Sequence, residues 1–197
     1  MKLKLGRLTK RLLLVLLFFI GIGGLYFLYL TAVSNFHVVS PGQIYRASQM
    51  SGRVLSLVIQ QHNIKTILNL RGANGDRAWY CGETNIASQL GVKHFDFGLS
   101  AHREVTDEEM DQILAIIRAA PKPVLIHCQM GADRTGLVSA LCLYSIEQKP
   151  SAEAGRELSM RYAHFPYLFW RDTGAMDNSF WRYVRNDVHR ASAQILQ

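Results

Sequence analysis

Leu12 to Leu30 is a run of 19 uncharged, mostly apolar residues, and no other stretch narrows the fold so much. As a helix rising ~1.5 Å per residue it spans about 30 Å, the thickness of a bilayer's hydrocarbon core. Its three glycines and two tyrosines are tolerated in membrane helices. It shows no polar face at helical period, which argues against a buried helix of a soluble domain. The rival is a cleaved secretory signal, with Ala32-Val33-Ser34 as the small-residue site. The run is longer than the ~7–15 residues of a signal core, so an uncleaved anchor is preferred. Lys2, Lys4, Arg7, Lys10 and Arg11 precede it, and the first positive charge after it is Arg46. That asymmetry predicts a single-pass protein with a cytoplasmic N-terminus. The remainder is then extracytoplasmic, which in a Gram-negative cell means the periplasm.

The same five residues explain the formal net charge of +7. Beyond residue 30 there remain 17 basic residues against 15 acidic ones, so nucleic-acid binding is not expected. With 197 residues, 49% of them hydrophobic, the chain has material for one packed domain besides the anchor. The organisation expected is a basic flank at 1–11, the anchor at 12–30, a linker at 31–42, one catalytic domain at 43–190 and a tail at 191–197. The three cysteines, Cys81, Cys128 and Cys142, fit no zinc pattern and leave at least one thiol free within a chain.

Periodicity then orders the domain. A Pro41-Gly42 turn precedes a first strand at Ile44-Tyr45-Arg46. A helix follows at Val54–Gln61, a strand at Thr66–Leu70, a loop at Arg71–Arg77 and a helix at Trp79–Leu90. Val92–Phe97 alternates and reads as a strand. Thr106 and Glu109 form a capping box for a helix to about Ala119, stopped by Pro121 and Pro123. Val124-Leu125-Ile126 reads as a central strand buried on both faces. Helices are expected from Thr135 to about Glu147, near 151–163 and near 176–190. Strands alternating with helices predict an α/β layer with a mostly parallel sheet.

Between that central strand and the next helix lies His127-Cys128-Gln129-Met130-Gly131-Ala132-Asp133-Arg134-Thr135-Gly136. Open α/β sheets place ligands at the carboxyl ends of their strands. A loop from Cys128 to Arg134 can curl so that its backbone N–H groups point inward, beside the positive end of a helix dipole. Such a nest binds a phosphate-like dianion and favours a thiolate over a thiol. Gln129, Met130, Gly131, Ala132, Asp133 and Arg134 are the expected phosphate-binding residues. Arg134 offers a planar fork for two phosphoryl oxygens. Thr135 is placed to donate a hydrogen bond to the Cys128 sulfur, and His127 to support the loop. A cysteine after a buried strand is often only a small core residue. Here it coincides with Arg-Thr-Gly at a fixed spacing on the right pair of elements.

HCQMGADRTG resembles the signature of the cysteine-dependent protein tyrosine and dual-specificity phosphatases, in particular bacterial members with Asp before the loop Arg. Ile44–Gln49 and Ile67–Arg71 resemble that family's early strands, more weakly. The resemblance covers about residues 38–190. It implies a central sheet of four or five strands flanked by helices. It also implies hydrolysis of phosphomonoesters through a phosphocysteine on Cys128, with no metal and no cofactor. The phosphorylated partner is left open among protein, lipid and sugar phosphates. Many relatives take the leaving group's proton from an Asp on a separate loop before the Cys. Asp96 lies 32 residues before Cys128 but inside a predicted strand. Lipid-phosphate phosphatases of the myotubularin type implicate an Asp at the position of Asp133. Asp133 is therefore the expected acid and Asp96 the alternative, while Asp133 as a mere anchor for a basic side chain is its structural reading.

Weaker expectations attach elsewhere. His94, His102 and Arg103 border the loop region and read as a second anion site or as solvated surface. Trp170, Trp181, Tyr162 and Phe180 read as packing. Cys142 reads as buried and inert, and Cys81 as a possible disulfide partner for Cys128. Two rival functions stand beside the phosphatase: a catalytically dead phosphate-binding module, and sulfur or arsenate chemistry on a similar loop.

Overall fold

The computed structural model describes residues 2–167 and 172–195. It divides into one unit ending at Val33 and a second beginning at Ser34. The first is a single helix, α1 (Lys2–Ala32), so the basic flank and the apolar run share one uninterrupted element. Its segment Thr9–Ala32 has the length and composition needed to cross a membrane.

The second unit is built on a five-stranded sheet in the order β1-β2-β5-β3-β4. The strands are β1 (His37–Ser40), β2 (Ile44–Ala47), β3 (Thr66–Asn69), β4 (Lys93–Asp96) and β5 (Val124–His127). All neighbours run parallel except β1 and β2. β1 falls inside the stretch expected to be linker. The Pro41-Gly42 turn joins it to β2 as a hairpin, so the turn was legible but not the edge strand it creates.

Side chains alternate across the sheet. Ile44, Leu68, Val124 and Ile126 face one cluster, with Met110, Ile113, Leu114 and Ile117 of α4 (Asp107–Ala119). Leu137 and Leu141 of α5 (Asp133–Ser145) and Phe180 of α7 (Gly174–Ile195) complete it. Tyr45, Ile67 and Leu125 face the other, with Leu55 and Ile59 of α2 (Gly52–His62) and Ala87 of α3 (Ala78–Gln89). Helices thus cover both faces. All four residues of β2, β3 and β5 are buried, the polar Arg46, Thr66, Asn69 and His127 included, as mid-sheet strands covered on both faces require. The capping box of α4 forms as expected, with Thr106 accepting from the Glu109 N–H.

Two helices depart from expectation. The stretch 151–163 is not one helix. It holds a single turn, α6 (Ser151–Ala154), then 3-10 turns at Gly155–Glu157 and Met160–Tyr162. The cause is tertiary: the Glu157 carbonyl and carboxylate both bind Arg46 of β2, which removes that carbonyl from any helical ladder. α7 runs from Gly174 to Ile195, into the segment expected to be tail. Trp170 lies outside the described residues.

The crossovers place the topological switch at β5. The chain leaves β4 at one edge, crosses through α4 and re-enters between β2 and β3. The crevice at the carboxyl end of β5 is where such a sheet accepts a ligand.

Candidate active site

Cys128 is the first residue after β5, and the loop from it ends where α5 begins at Asp133. Cys128 is buried, and its Sγ accepts a hydrogen bond from the Gly131 N–H at 3.3 Å. Gly131 has φ +68°, and a Cβ there would lie 2.6 Å from the backbone of Ala47 and Ser48. Only glycine satisfies both the left-handed turn and the close approach to β2.

What holds the loop in this shape is Arg46, fully buried in β2. Its Nη2 donates to the carbonyls of Gly131 at 2.8 Å and Ala132 at 3.4 Å. Tying those carbonyls to Arg46 frees the loop's N–H groups to turn toward the thiol, as the Gly131 N–H does, which is how an anion nest is built. Arg46 is itself held by Glu157, through Oε2 at 2.5 Å and the carbonyl at 2.9 Å. Tyr162 closes the guanidinium's face at 3.8 Å from the ring centroid. Burial depresses the Arg46 pKa from its ordinary value, and Glu157 opposes that shift. Asn35 adds a further tie, donating to the Met130 and Tyr162 carbonyls at 3.0 Å each. The 3-10 bend at Glu157 also passes close over α5. A Cβ at Gly136 would meet the Glu157 oxygen at 2.9 Å.

Behind Cys128, His127 is buried and donates from Nε2 to Glu83 Oε1 at 3.0 Å. Glu83 also takes His94 Nε2 at 2.9 Å and Gln49 Nε2 at 2.6 Å. Burial pushes the Glu83 carboxyl upward, but the bonds from His127, His94 and Gln49 together outweigh it and bring it down to about 2. Glu83 is thus an acceptor-only hub that fixes the His127 ring.

Arg134 reaches back across the sheet. Its Nη1 donates to the carbonyls of Leu70 at 3.3 Å and Leu99 at 3.2 Å, while Nε is buried without a partner. Among the described residues no carboxylate pairs with it. Thr135 does not bond the Cys128 sulfur. Its Oγ1 is buried and unpartnered among the described residues, and Sγ accepts from the Gly131 amide.

Asp133 has a structural partner: its Oδ1 lies 2.7 Å from His164 Nδ1, whose Nε2 meets Asp177 Oδ2 at 2.8 Å. Burial lowers the His164 pKa, yet the bonds to the two carboxylates outweigh it and raise it to about 9, so an imidazolium clamps α5 to α7. Asp96 ends β4 and has both oxygens engaged, Oδ1 with Asn69 Nδ2 at 2.7 Å and Oδ2 with the Tyr80 hydroxyl at 2.5 Å.

The weaker candidates disperse. His94 serves Glu83, His102 Nδ1 meets the Asp172 carbonyl, and Arg103 is paired with Glu109 at 2.6 Å. No second anion site forms from these three. Cys81 is exposed and unbonded to Cys128, and burial pushes the Cys142 thiol up to about 12. Phe180 is core, and Tyr162 is both core and the stacking partner of Arg46.

A profile described as the tyrosine phosphatase family matches residues 22–152, from α1 through the loop and α5. The chain belongs to the tyrosine phosphatase family. Its relatives include the dual specificity protein phosphatase TpbA of Pseudomonas aeruginosa, 31% identical over 109 residues. That alignment covers 54% of this chain and 45% of TpbA, so it spans less than half of the relative. The crystal structure of TpbA superposes with a TM-score of 0.53 at 25% identity, over 76% of this chain and 91% of that one. The core catalytic domain of the PP-IP phosphatase SIW14 from S. cerevisiae, in complex with citrate, gives a TM-score of 0.60. It is 24% identical and covers 81% of this chain and 91% of its own, a likeness of fold.

Within this family member, sequence reading located the loop but missed most of what holds it. Arg46, Glu157, Glu83, Gln49 and His164 are polar residues spread over the chain and carry no local pattern. The one available hint was the second resemblance, Ile44–Gln49, which contains both Arg46 and Gln49.

Proposed function

We propose that the chain hydrolyses phosphomonoesters through a covalent phosphocysteine on Cys128. The observation that carries this is the loop itself. A buried thiol sits at the carboxyl end of the central strand, in a nest whose carbonyls are tied by Arg46, beside an Arg134 that has no carboxylate partner among the described residues. The loop amides and the Arg134 fork hold the equatorial oxygens of the phosphoryl group. The Cys128 thiolate attacks phosphorus, the ester P–O bond breaks, and the leaving oxygen takes a proton. Water then attacks the phosphocysteine, the P–S bond breaks, and inorganic phosphate leaves with the thiolate restored. His127, fixed by Glu83, supports the start of the loop.

Asp133 is the proton donor in this reading, and in the second step the base that takes the proton from water. Among the described residues only its Oδ1 is engaged, which leaves Oδ2 for the leaving group, whereas Asp96 has both oxygens occupied. The substrate is a phosphorylated protein, lipid or small molecule. TpbA is described as a dual specificity protein phosphatase, and one structure holds it with phosphotyrosine. That supports phosphorylated side chains as a class. α1 serves as a single-pass anchor with its basic end in the cytoplasm and the catalytic unit outside. Its length, its composition and the five basic residues of its flank support that reading.

The deciding experiment is turnover of para-nitrophenyl phosphate by the full chain and by Cys128→Ser. The hydroxyl is close in size to the thiol but not ionised near neutral pH, so the variant should bind phosphate and release no product. Turnover retained by Cys128→Ser, or abolished by a chelator, would sink the mechanism.

A further inference from the structure

Arg71 follows β3 and sits beside the loop without helping to form it. Leu70, the residue before it, gives its carbonyl to Arg134 and takes the His127 carbonyl with its own N–H at 2.8 Å. Gln49 ties the Arg71 side chain to the same place. The Gln49 backbone N–H donates to the Gln129 carbonyl at 3.2 Å, and its Oε1 accepts from Arg71 Nη1 at 3.1 Å. Trp79 covers one face of the guanidinium, at 3.6 Å from the ring centroid. The cation is therefore locked in orientation by stacking and by a hydrogen bond. Among the described residues it has no carboxylate partner.

Charge accounting separates the three arginines around the loop. Arg46 is neutralised by Glu157. Arg134 is committed to the phosphoryl group in the phosphatase reading. Arg71 has no carboxylate in contact among the described residues. Burial and then the positive charge of Arg134 depress its pKa, while Cys128 and the more distant Glu83, which Gln49 separates from it and which already holds His127 and His94, raise it. The charges of Arg71 and Arg134 repel each other, and anions bound against them relieve that repulsion. A single phosphomonoester supplies one dianion, which the loop amides and Arg134 already grip. With its flat face on Trp79, Arg71 offers its edge, the geometry that grips a compact oxyanion in bidentate fashion.

We propose that Arg71 is a second anion subsite beside the catalytic loop, and that it takes a second phosphoryl group carried next to the scissile one. The preferred substrates are then vicinal bisphosphates of a small polyol, either free or as a lipid headgroup. This inference rests on the phosphatase reading and names its substrate class.

The test uses the full chain in mild detergent with inositol monophosphate and a vicinal inositol bisphosphate. The bisphosphate is supplied both in solution and as its diacylglycerol ester in mixed micelles of phosphatidylcholine and the same detergent. In the wild type kcat/KM favours the bisphosphate. Arg71→Met should lower the bisphosphate-to-monophosphate ratio about 10- to 100-fold, as loss of a charged hydrogen-bonding group predicts. Arg71→Lys, which keeps the charge and loses the fork, should recover part of it and serves alone if Arg71→Met does not fold. The arm with the larger ratio identifies the free or the lipid source. Equal losses on both substrates, an unchanged ratio, or a wild-type preference for acidic phosphopeptides would each overturn the proposal. If the wild type turns over no monoester, the phosphatase reading fails by itself. Calorimetric binding to Cys128→Ser then decides the subsite: a bisphosphate preference that disappears with Arg71→Met supports it, and equal affinities overturn it.

Discussion

Asp133 pins His164, and in the proposed mechanism it also protonates the leaving group. The two roles separate by leaving-group chemistry. Asp133→Asn keeps the shape but has no acidic proton. It should slow alkyl phosphates by the ~10²–10⁴-fold that general acid catalysis contributes, and activated aryl phosphates far less. Asp96→Asn should show no such dependence, since its partners Asn69 and Tyr80 hold it at the end of β4. The Tyr80 hydroxyl is itself pushed up to about 12, chiefly by its bond to Asp96. If Asp96→Asn produced the leaving-group dependence and Asp133→Asn only weakened binding, the proton would come from the β4 end. The residues that make this question answerable were legible to different degrees. Cys128 and Arg134 stand within seven positions between a strand and a helix, so spacing points to them, whereas Asp133 is singled out only by the family resemblance. Arg46 lies 85 residues from Gly131 in sequence, and Glu83 lies 44 from His127. A buried charge reads in sequence like any solvated one, and only the fold brings its partner to it.

At the scale of elements, legibility followed how much of an element's stability is local. α4 carries its own capping box and a helical apolar stripe, and it was placed within a residue. β1 and the 151–163 stretch depend on distant partners, β2 for one and Arg46 for the other, and were misread. The same dependence makes the His164 clamp testable. His164 joins Asp133 at the start of α5 to Asp177 in the first turn of α7, with its side chain 1% exposed. Its folded pKa of about 9 lies above the ordinary 6.5. A raised value means that the stabilisation is complete below the unfolded pKa and is lost as pH rises through the folded one. The stability gap between wild type and His164→Gln should therefore narrow by about 2–3 kcal/mol between about pH 6 and about pH 9.5. Urea unfolding at a series of pH values measures it, and a gap constant across that window would remove the imidazolium from the clamp.

For the whole molecule, the proposed anchor raises the question of which side of a membrane the loop faces. A phosphatase on the cytoplasmic side meets cytoplasmic phosphoproteins and lipid headgroups of the inner leaflet, and one on the far side meets neither. α1 has a basic end and an apolar body in one helix, and no acidic residue precedes Asp76. Five positive charges lie before Leu12 and none between Leu30 and Arg46, so charge favours retaining the N-terminus in the cytoplasm. A phosphatase reporter that works only outside the cytoplasm, fused after Gln197, should be active. A reporter that fluoresces only inside should be dark at the same position. Replacing the flanking Lys and Arg residues with Gln should weaken this polarity, because the bias resides in those charges and not in the apolar run. N-terminal sequencing of the membrane fraction separates anchor from signal. An intact Met1 end supports the anchor, whereas a new end near Ala32-Val33-Ser34, with activity in the soluble fraction, would show that α1 only directs export.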